Sequence, residues 1–184
     1  EIYKKETPDC VIVQGDTSSA FSAALAAYYQ EIPVAHIESG LRTGFRYSPF
    51  PEEMNRRLIS QIATYHFAPT LFNQKTLNAE GIHDNIWVVG NSVIDALNYT
   101  IKALDKTPSL VNKELSLDPS KKIILVTGHR RENAGLRFKN ICKAIQTLSE
   151  EENYSIVFPI HLNPLFKNTV SSMLKENNQL RIIP

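Results

Sequence analysis

The sequence predicts an α/β protein with parallel sheets, built in two blocks. Three observations predict it. Short apolar runs of strand length alternate with longer stretches at helical spacing. Polar or glycine-containing turns follow the apolar runs, as they do where a strand feeds a crossover helix. The alternation breaks once, at residues 105–120, and then restarts.

Taken in order, residues 1–6 resemble the tail of a helix. Cys10-Val11-Ile12-Val13 is a buried strand bounded by Asp9 and Gly15. Gly15-Asp16-Thr17-Ser18 is a turn opening a helix, which Ala20, Ala23, Ala24, Leu25, Ala26 and Ala27 favour and whose small side chains let it lie close on a sheet. Val34-Ala35-His36-Ile37 is the next strand, so strand, helix and strand make a parallel crossover. Pro51 suits the first turn of a helix running to about Ala63, with Glu52 and Glu53 at its positive end. His66-Phe67-Ala68 is a strand, Thr70 caps a helix that Gly81 stops, and Ile86-Trp87-Val88-Val89 is a further strand leading into a helix over 93–104. Residues 105–120 hold two prolines and little periodicity, and read as a linker and domain seam. In the second block, Lys122 to Val126 is a strand. Phe138, Ile141, Ile145 and Leu148 recur at helical spacing, Ile156-Val157-Phe158 is a strand, Pro164 opens a helix to about Asn177, and Leu180 to Ile183 is the last strand. The expected domains are therefore 1–105 and 106–184. A parallel sheet wants helices on both faces. Neither block has enough elements, so the chain is expected to be a fragment of a larger two-domain protein.

Composition narrows the function. A net charge of +1 leaves no global field to collect nucleic acid or an anionic membrane, and no apolar run reaches the ~18 residues of a spanning helix. Cys10 and Cys142 lie far apart and match no metal or redox spacing; they read as two reduced core thiols, which fits a cytoplasmic protein. No GxGxxG or GxxxxGK[ST] loop disposes the segment to NAD or P-loop chemistry, and no His/Cys/Asp cluster has metal spacing.

The charged stretch from His36 to Arg57 is the candidate active-site rim. Parallel strands end on one edge, so Asp16 and Glu38 should share it, within roughly 5–10 Å if their strands are neighbours. Paired carboxylates can divide acid and base work. Asp16 could equally be a helix cap, whereas a carboxylate straight after a buried strand, as at Glu38, has no routine structural task. Glu52/Arg56 and Glu53/Arg57 are spaced four apart on a helix; alone, they read as two solvated salt bridges, with Asn55 adding polarity to the Glu52 face. In the second block Gly128-His129-Arg130-Arg131-Glu132 follows a strand and precedes a helix, a setting for an anion held by backbone N–H groups and arginines. His161-Leu162-Asn163-Pro164 repeats the arrangement, or is simply a helix start capped by Asn163. Carboxylates in one block and cations in the other suit a sugar nucleotide or a similar phosphorylated substrate.

Seven motifs in order carry a resemblance: Val13-Gln14-Gly15-Asp16-Thr17, His36 to Thr43, Tyr47 to Arg56, Phe67-Ala68-Pro69-Thr70, Val89 to Ala96, Thr127 to Asn133, and His161-Leu162-Asn163-Pro164. From about Pro8 onward the chain resembles the bacterial non-hydrolysing UDP-N-acetylglucosamine 2-epimerases. The resemblance implies two Rossmann-like domains facing a cleft (the GT-B arrangement), both incomplete in this chain. It implies interconversion of UDP-GlcNAc and UDP-ManNAc, for cell-surface polysaccharide precursors, by anti elimination of UDP to 2-acetamidoglucal and re-addition, without metal or nicotinamide cofactor. It makes Asp16, Glu38 and Glu52 the acid/base candidates and His129 the support for departing UDP. Arg56 would hold the carboxylates, and Arg130, His161 and Asn163 would lie near nucleotide. It further implies a homodimer, with UDP-GlcNAc an activator in some bacterial members. A hydrolysing relative releasing ManNAc, or a sugar-nucleotide-binding module without turnover, are the alternatives. The family's N-terminal Gly-Thr-Arg-Pro-Glu segment and its later Ser-Gly-Gly-rich segment are missing, so the fragment alone should be inactive, and Phe45 stands where a small acidic or polar residue is expected.

Overall fold

The computed structural model describes residues 1–106, 117–118, 120–128, 135–160 and 163–183. They form two compact units, Glu1–Lys102 and Ala103–Pro184. Unit one contains α1 (Ile2–Glu6), β1 (Val11–Gln14), α2 (Ser18–Tyr28), β2 (Val34–Ile37), α3 (Glu52–Ile62), β3 (Tyr65–Ala68), α4 (Leu71–Ala79) and β4 (Ile86–Val88). Helix α5 (Ser92–Lys106) begins in unit one and runs past its boundary. Unit two contains β5 (Lys122–Leu125), α6 (Leu136–Leu148), β6 (Tyr154–Pro159), α7 (Pro164–Met173) and β7 (Leu180–Ile183). Both units are α/β with parallel sheets, as the alternation predicts.

The first sheet runs in the order β1-β2-β3-β4, so each strand lies beside the next one in sequence. All pairs are parallel, with Val13 opposite His36, His36 opposite His66 and Phe67 opposite Trp87. Winding in one direction with right-handed crossovers puts the linking helices on the same face. Accordingly α2 packs on β1, β2 and α3, while α4 packs on β3 and β4. The alanines expected to bring α2 close do so. Ala20, Ala24 and Ala27 are buried against Val11, Val13, Val34 and Ile59. The opposite face carries Phe67 stacked on Trp87, centroids 5.5 Å apart, and leaves Ile12 67% exposed.

Thr70 caps α4 as its position predicts, and at α2 Thr17 takes the cap in place of Asp16. Thr17 accepts from the Ala20 N–H at 3.1 Å at the head of α2, and Thr70 accepts from the Asn73 N–H at 3.3 Å at the head of α4. Gly40 explains how the loop after β2 crosses α4. Its φ is +86°, and a Cβ there would lie 2.4 Å from the Asn73 carbonyl oxygen. Arg42 secures the same crossing. Its Nε and Nη2 donate to the two Glu80 carboxylate oxygens at 2.8 and 2.6 Å, and Nη2 also reaches Ser60 Oγ at 3.1 Å. It is a clamp between α3 and the end of α4 rather than a free charge on a rim.

The second sheet runs β5-β6-β7, also parallel. Its core gathers Cys142, Ile145, Ile156, Phe158, Val170, Leu174 and Leu180 around Phe138, which meets Phe166 edge-on at 4.9 Å. Two expectations change. Cys10 is exposed, because it precedes β1 instead of lying in it, and Cys142 alone is a core thiol. Helix α7 ends at Met173, and Asn177 instead tethers the next strand, its Oδ1 accepting from the Gln179 and Leu180 N–H groups at 2.8 Å. The stretch read as linker lies largely outside the described residues.

Gly40→Ala is expected to lower stability by about 2–3 kcal/mol, combining left-handed strain with a backbone clash. Gly44→Ala, with φ +81° but nothing within 4 Å of its would-be Cβ, is expected to cost about 1 kcal/mol. Urea unfolding of the two variants side by side separates packing from strain.

Candidate active site

Because β1 and β2 are adjacent and parallel, the turns after them share one sheet edge. The Gly15 N–H donates to the Ile37 carbonyl at 3.0 Å, carrying the ladder one residue beyond β1. His36 Nε2 donates to the Gly15 carbonyl at 2.9 Å, fixing the turn from beneath. Asp16 comes next. Since Thr17 takes the capping role, the carboxylate of Asp16 is released from it and forms an ion pair with the Arg56 guanidinium. The Asp16 backbone carbonyl accepts from Asn55 Nδ2 at 2.9 Å. Two neighbouring residues of α3 thus hold this turn.

Glu38 follows β2 with φ +66°, a left-handed conformation that non-glycine residues rarely adopt. Such strain persists only where surrounding contacts impose it. Here the Ser39 N–H donates to the Phe67 carbonyl at 3.1 Å, and Ser39 Oγ meets His66 Nδ1 at 3.0 Å. The result is that Glu38 folds back over the neighbouring turn, where a Cβ on Gly15 would lie 3.4 Å from Glu38 Oε2. The two carboxylate-bearing turns are brought together. Asp16 faces an arginine, whereas Glu38 has no ion pair among the described residues.

Helix α3 departs from the sequence reading. Taken alone, the spacing reads Glu52/Arg56 and Glu53/Arg57 as two solvated pairs, and of these the Glu53–Arg57 pair forms. Glu53, however, is fully buried, and Arg56 turns toward Asp16 and Glu53. Glu53 accepts from the Thr43 N–H and from Arg57 Nε, each at 3.0 Å, with Arg56 Nη1 3.6 Å away. Burial alone would raise the Glu53 carboxyl. Hydrogen bonds from Thr43 and Arg57 and the charge of Arg56 outweigh it and leave it below its ordinary value. Asn55 is buried and donates to the Asp16 carbonyl, not solvated beside Glu52. Glu52 is half-buried at the first position of α3 and makes no ion pair among the described residues. The sequence reading gives His36 and Glu53 no supporting part at the site. His36 was legible in principle, because it shares a strand face with Val34, opposite Val13 in the core.

The two buried histidines are electrostatically quiet. Burial pushes His36 down to about 4, against the opposing pull of its bond to Gly15, with the His66 and Arg42 charges lowering it further. His66 is lowered too, chiefly by burial. A neutral His36 must carry its proton on Nε2, because the Gly15 carbonyl only accepts.

Of the remaining candidates, Asn163 stands at the head of α7, its carbonyl accepting from the Phe166 and Lys167 N–H groups at 3.1 Å. His129, Arg130 and His161 lie outside the described residues. Among the described residues no group of three or more His, Cys, Asp or Glu side chains is arranged to hold a metal, and no helix is long and apolar enough to cross a membrane.

The family model described as UDP-N-acetylglucosamine 2-epimerase matches residues 1–184. The chain belongs to the UDP-N-acetylglucosamine 2-epimerase family. Among relatives within it, the UDP-N-acetylglucosamine 2-epimerase of Yersinia pestis is 44% identical over 188 residues, covering 99% of this chain and 50% of the relative. That of Escherichia coli K12 is 46% identical over 173 residues, covering 91% of this chain and 46% of the relative. The Neisseria meningitidis UDP-GlcNAc 2-epimerase, solved bound to UDP-GlcNAc, matches with a TM-score of 0.95 and 42% identity, covering 99% of this chain and 50% of that one. The Methanocaldococcus jannaschii UDP-GlcNAc 2-epimerase, solved in complex with UDP-GlcNAc and UDP, matches with a TM-score of 0.81 and 36% identity over 99% of this chain and 51% of that one. The chain therefore spans about half the length of these epimerases.

The neutral buried histidines set a pH dependence. The His36 value is about 4 folded and 6.5 as the ordinary value. Between those two, the unfolded state binds the extra proton, so stability falls as pH drops. The stabilisation is present above pH 6.5 and is lost by about pH 4, some 3 kcal/mol in all. His66 acts in the same direction. Urea midpoints measured across that window should fall, and His36→Gln, which keeps a donor for Gly15 but does not titrate, should flatten the slope.

Proposed function

We propose that the complete protein containing this chain interconverts UDP-GlcNAc and UDP-ManNAc. A base removes the C2 proton while the C1–O bond to UDP breaks, and a C1=C2 double bond forms. UDP then re-adds at C1 as a proton reaches C2 from the opposite face. Inverting C2 in this way asks for proton transfer on two faces of the sugar, hence for more than one acid/base group. The sugar enters and leaves at one oxidation level, so the route calls for no redox cofactor.

The observation that carries this reading is the convergence of the Asp16 and Glu38 turns on one sheet edge, with Glu38 held in a left-handed backbone over Gly15. Family membership supports it, as do UDP-GlcNAc and UDP in the solved relatives. In this reading Asp16, Glu38 and Glu52 share the proton transfers, and Arg56 holds Asp16. His129 assists departure of UDP, and Arg130, His161 and Asn163 serve the nucleotide. The two units would each be part of one Rossmann-like domain of a GT-B enzyme, divided near residue 105.

Incubating the complete chain with UDP-GlcNAc in deuterated water tests the reading. Deuterium at C2 together with UDP-ManNAc is the expected result. Free ManNAc with UDP would identify a hydrolysing enzyme instead, and unchanged, unlabelled substrate a binding module. Glu38→Gln is expected to lower kcat by about 100-fold or more while UDP still binds.

A further inference from the structure

Glu53 is a costly residue for a fold to keep. Its side chain is 0% exposed, and an ionised carboxylate out of water needs close partners on both oxygens. Those partners are unequal in what they connect. Oε1 receives Arg57, which is 39% exposed and leads away to solvent. Oε2 receives the Thr43 N–H at 3.0 Å and faces Arg56 Nη1 at 3.6 Å. The other terminal nitrogen of that same guanidinium, Nη2, pairs with Asp16 Oδ2. One planar group thus spans two carboxylates, one buried and one at the turn after β1. Thr43 also opens the segment between Gly44 and Pro51 that leads to Glu52, and its Oγ1 donates to the Ser48 carbonyl at 2.6 Å. Glu53 therefore fixes both the guanidinium that faces Asp16 and the start of the loop that delivers Glu52.

We propose that Glu53 is a positioning residue for the carboxylates of this site: it aims Arg56 at Asp16 and ties Thr43 to the head of α3, without itself meeting substrate. The inference rests on the epimerase reading above. A buried ion pair gives little net stability over an apolar replacement, so what it supplies here is a fixed direction for Arg56. An arginine anchored at one end only would sample other rotamers, and small misplacements of an acid/base group are costly in rate.

The complete chain is assayed for UDP-ManNAc formation from UDP-GlcNAc with three variants. The wild type is read first, and failure there sinks the reaction, not the role of Glu53. With an active wild type, Glu53→Gln is expected to lower kcat about 10- to 100-fold while KM stays within about twofold. Arg57→Gln removes the other arginine of the cluster and is expected to leave kcat within about twofold. Glu53→Asp keeps the charge but withdraws it by one methylene, and is expected to lose part of kcat at unchanged KM, which carries the test should the glutamine variant fail to fold. Wild-type kcat in folded Glu53→Gln or Glu53→Asp overturns the proposal, as does a loss shared equally with Arg57→Gln.

Discussion

A single guanidinium holds together the candidate site at the edge of the first sheet. Arg56 leaves α3 and lies between Asp16, at the end of the first strand, and Glu53, buried one turn earlier on its own helix. The order of charge is carboxylate, guanidinium, carboxylate, guanidinium, ending at Arg57. An alternating row of this kind can be buried where isolated members could not, because each charge is compensated by its neighbours. It also joins three segments far apart in sequence: the β1 turn, the loop beginning at Thr43 and the head of α3.

That row has meaning only because of the sheet beneath it. Parallel pairing of β1 with β2 puts Gln14 opposite Ile37, so the residues that follow emerge side by side. The His36 ring then supports the Gly15 carbonyl from the core side, while the Asn73 carbonyl crowds Gly40 on the other branch of the loop. The backbone is closely tied where the proposed chemistry lies. Glu38 is forced into a left-handed backbone between two strand-end hydrogen bonds, those of Gly15 and Ser39. A loop free to relax would not keep it there.

Much of this was legible from residue order. Strand–turn–helix alternation fixes an α/β class, Thr70 announces its cap, and two strands in succession put Asp16 and Glu38 on a common edge. What escaped was set by the third dimension. Helical spacing pairs Glu52 with Arg56 and Glu53 with Arg57 equally well, and says nothing about which pair faces the sheet. Burial of the Glu53 face decides it, and Arg56 then finds a partner 40 positions away, one no local rule could name. Cys10 lies one residue outside its strand and is exposed, a boundary that periodicity alone places only loosely.

The contrast between Glu52 and Glu53 also sorts their roles in the proposed reaction. They are sequence neighbours of identical chemistry, turned about 100° apart on the helix. Glu53 is enclosed by a backbone N–H and two arginines, and its carboxyl sits below its ordinary value. A group so stabilised as an anion gives up that stabilisation on taking a proton, which makes it a poor shuttle and a good anchor. Glu52 is half-buried and makes no ion pair among the described residues, so it stands outside that network. The same logic separates Glu38 from Asp16. Asp16 is held in position by Arg56, whereas Glu38 has no arginine against it among the described residues. A reaction that must take a proton on one face of a sugar and return it on the other is served by a site whose carboxylates are held unequally in this way.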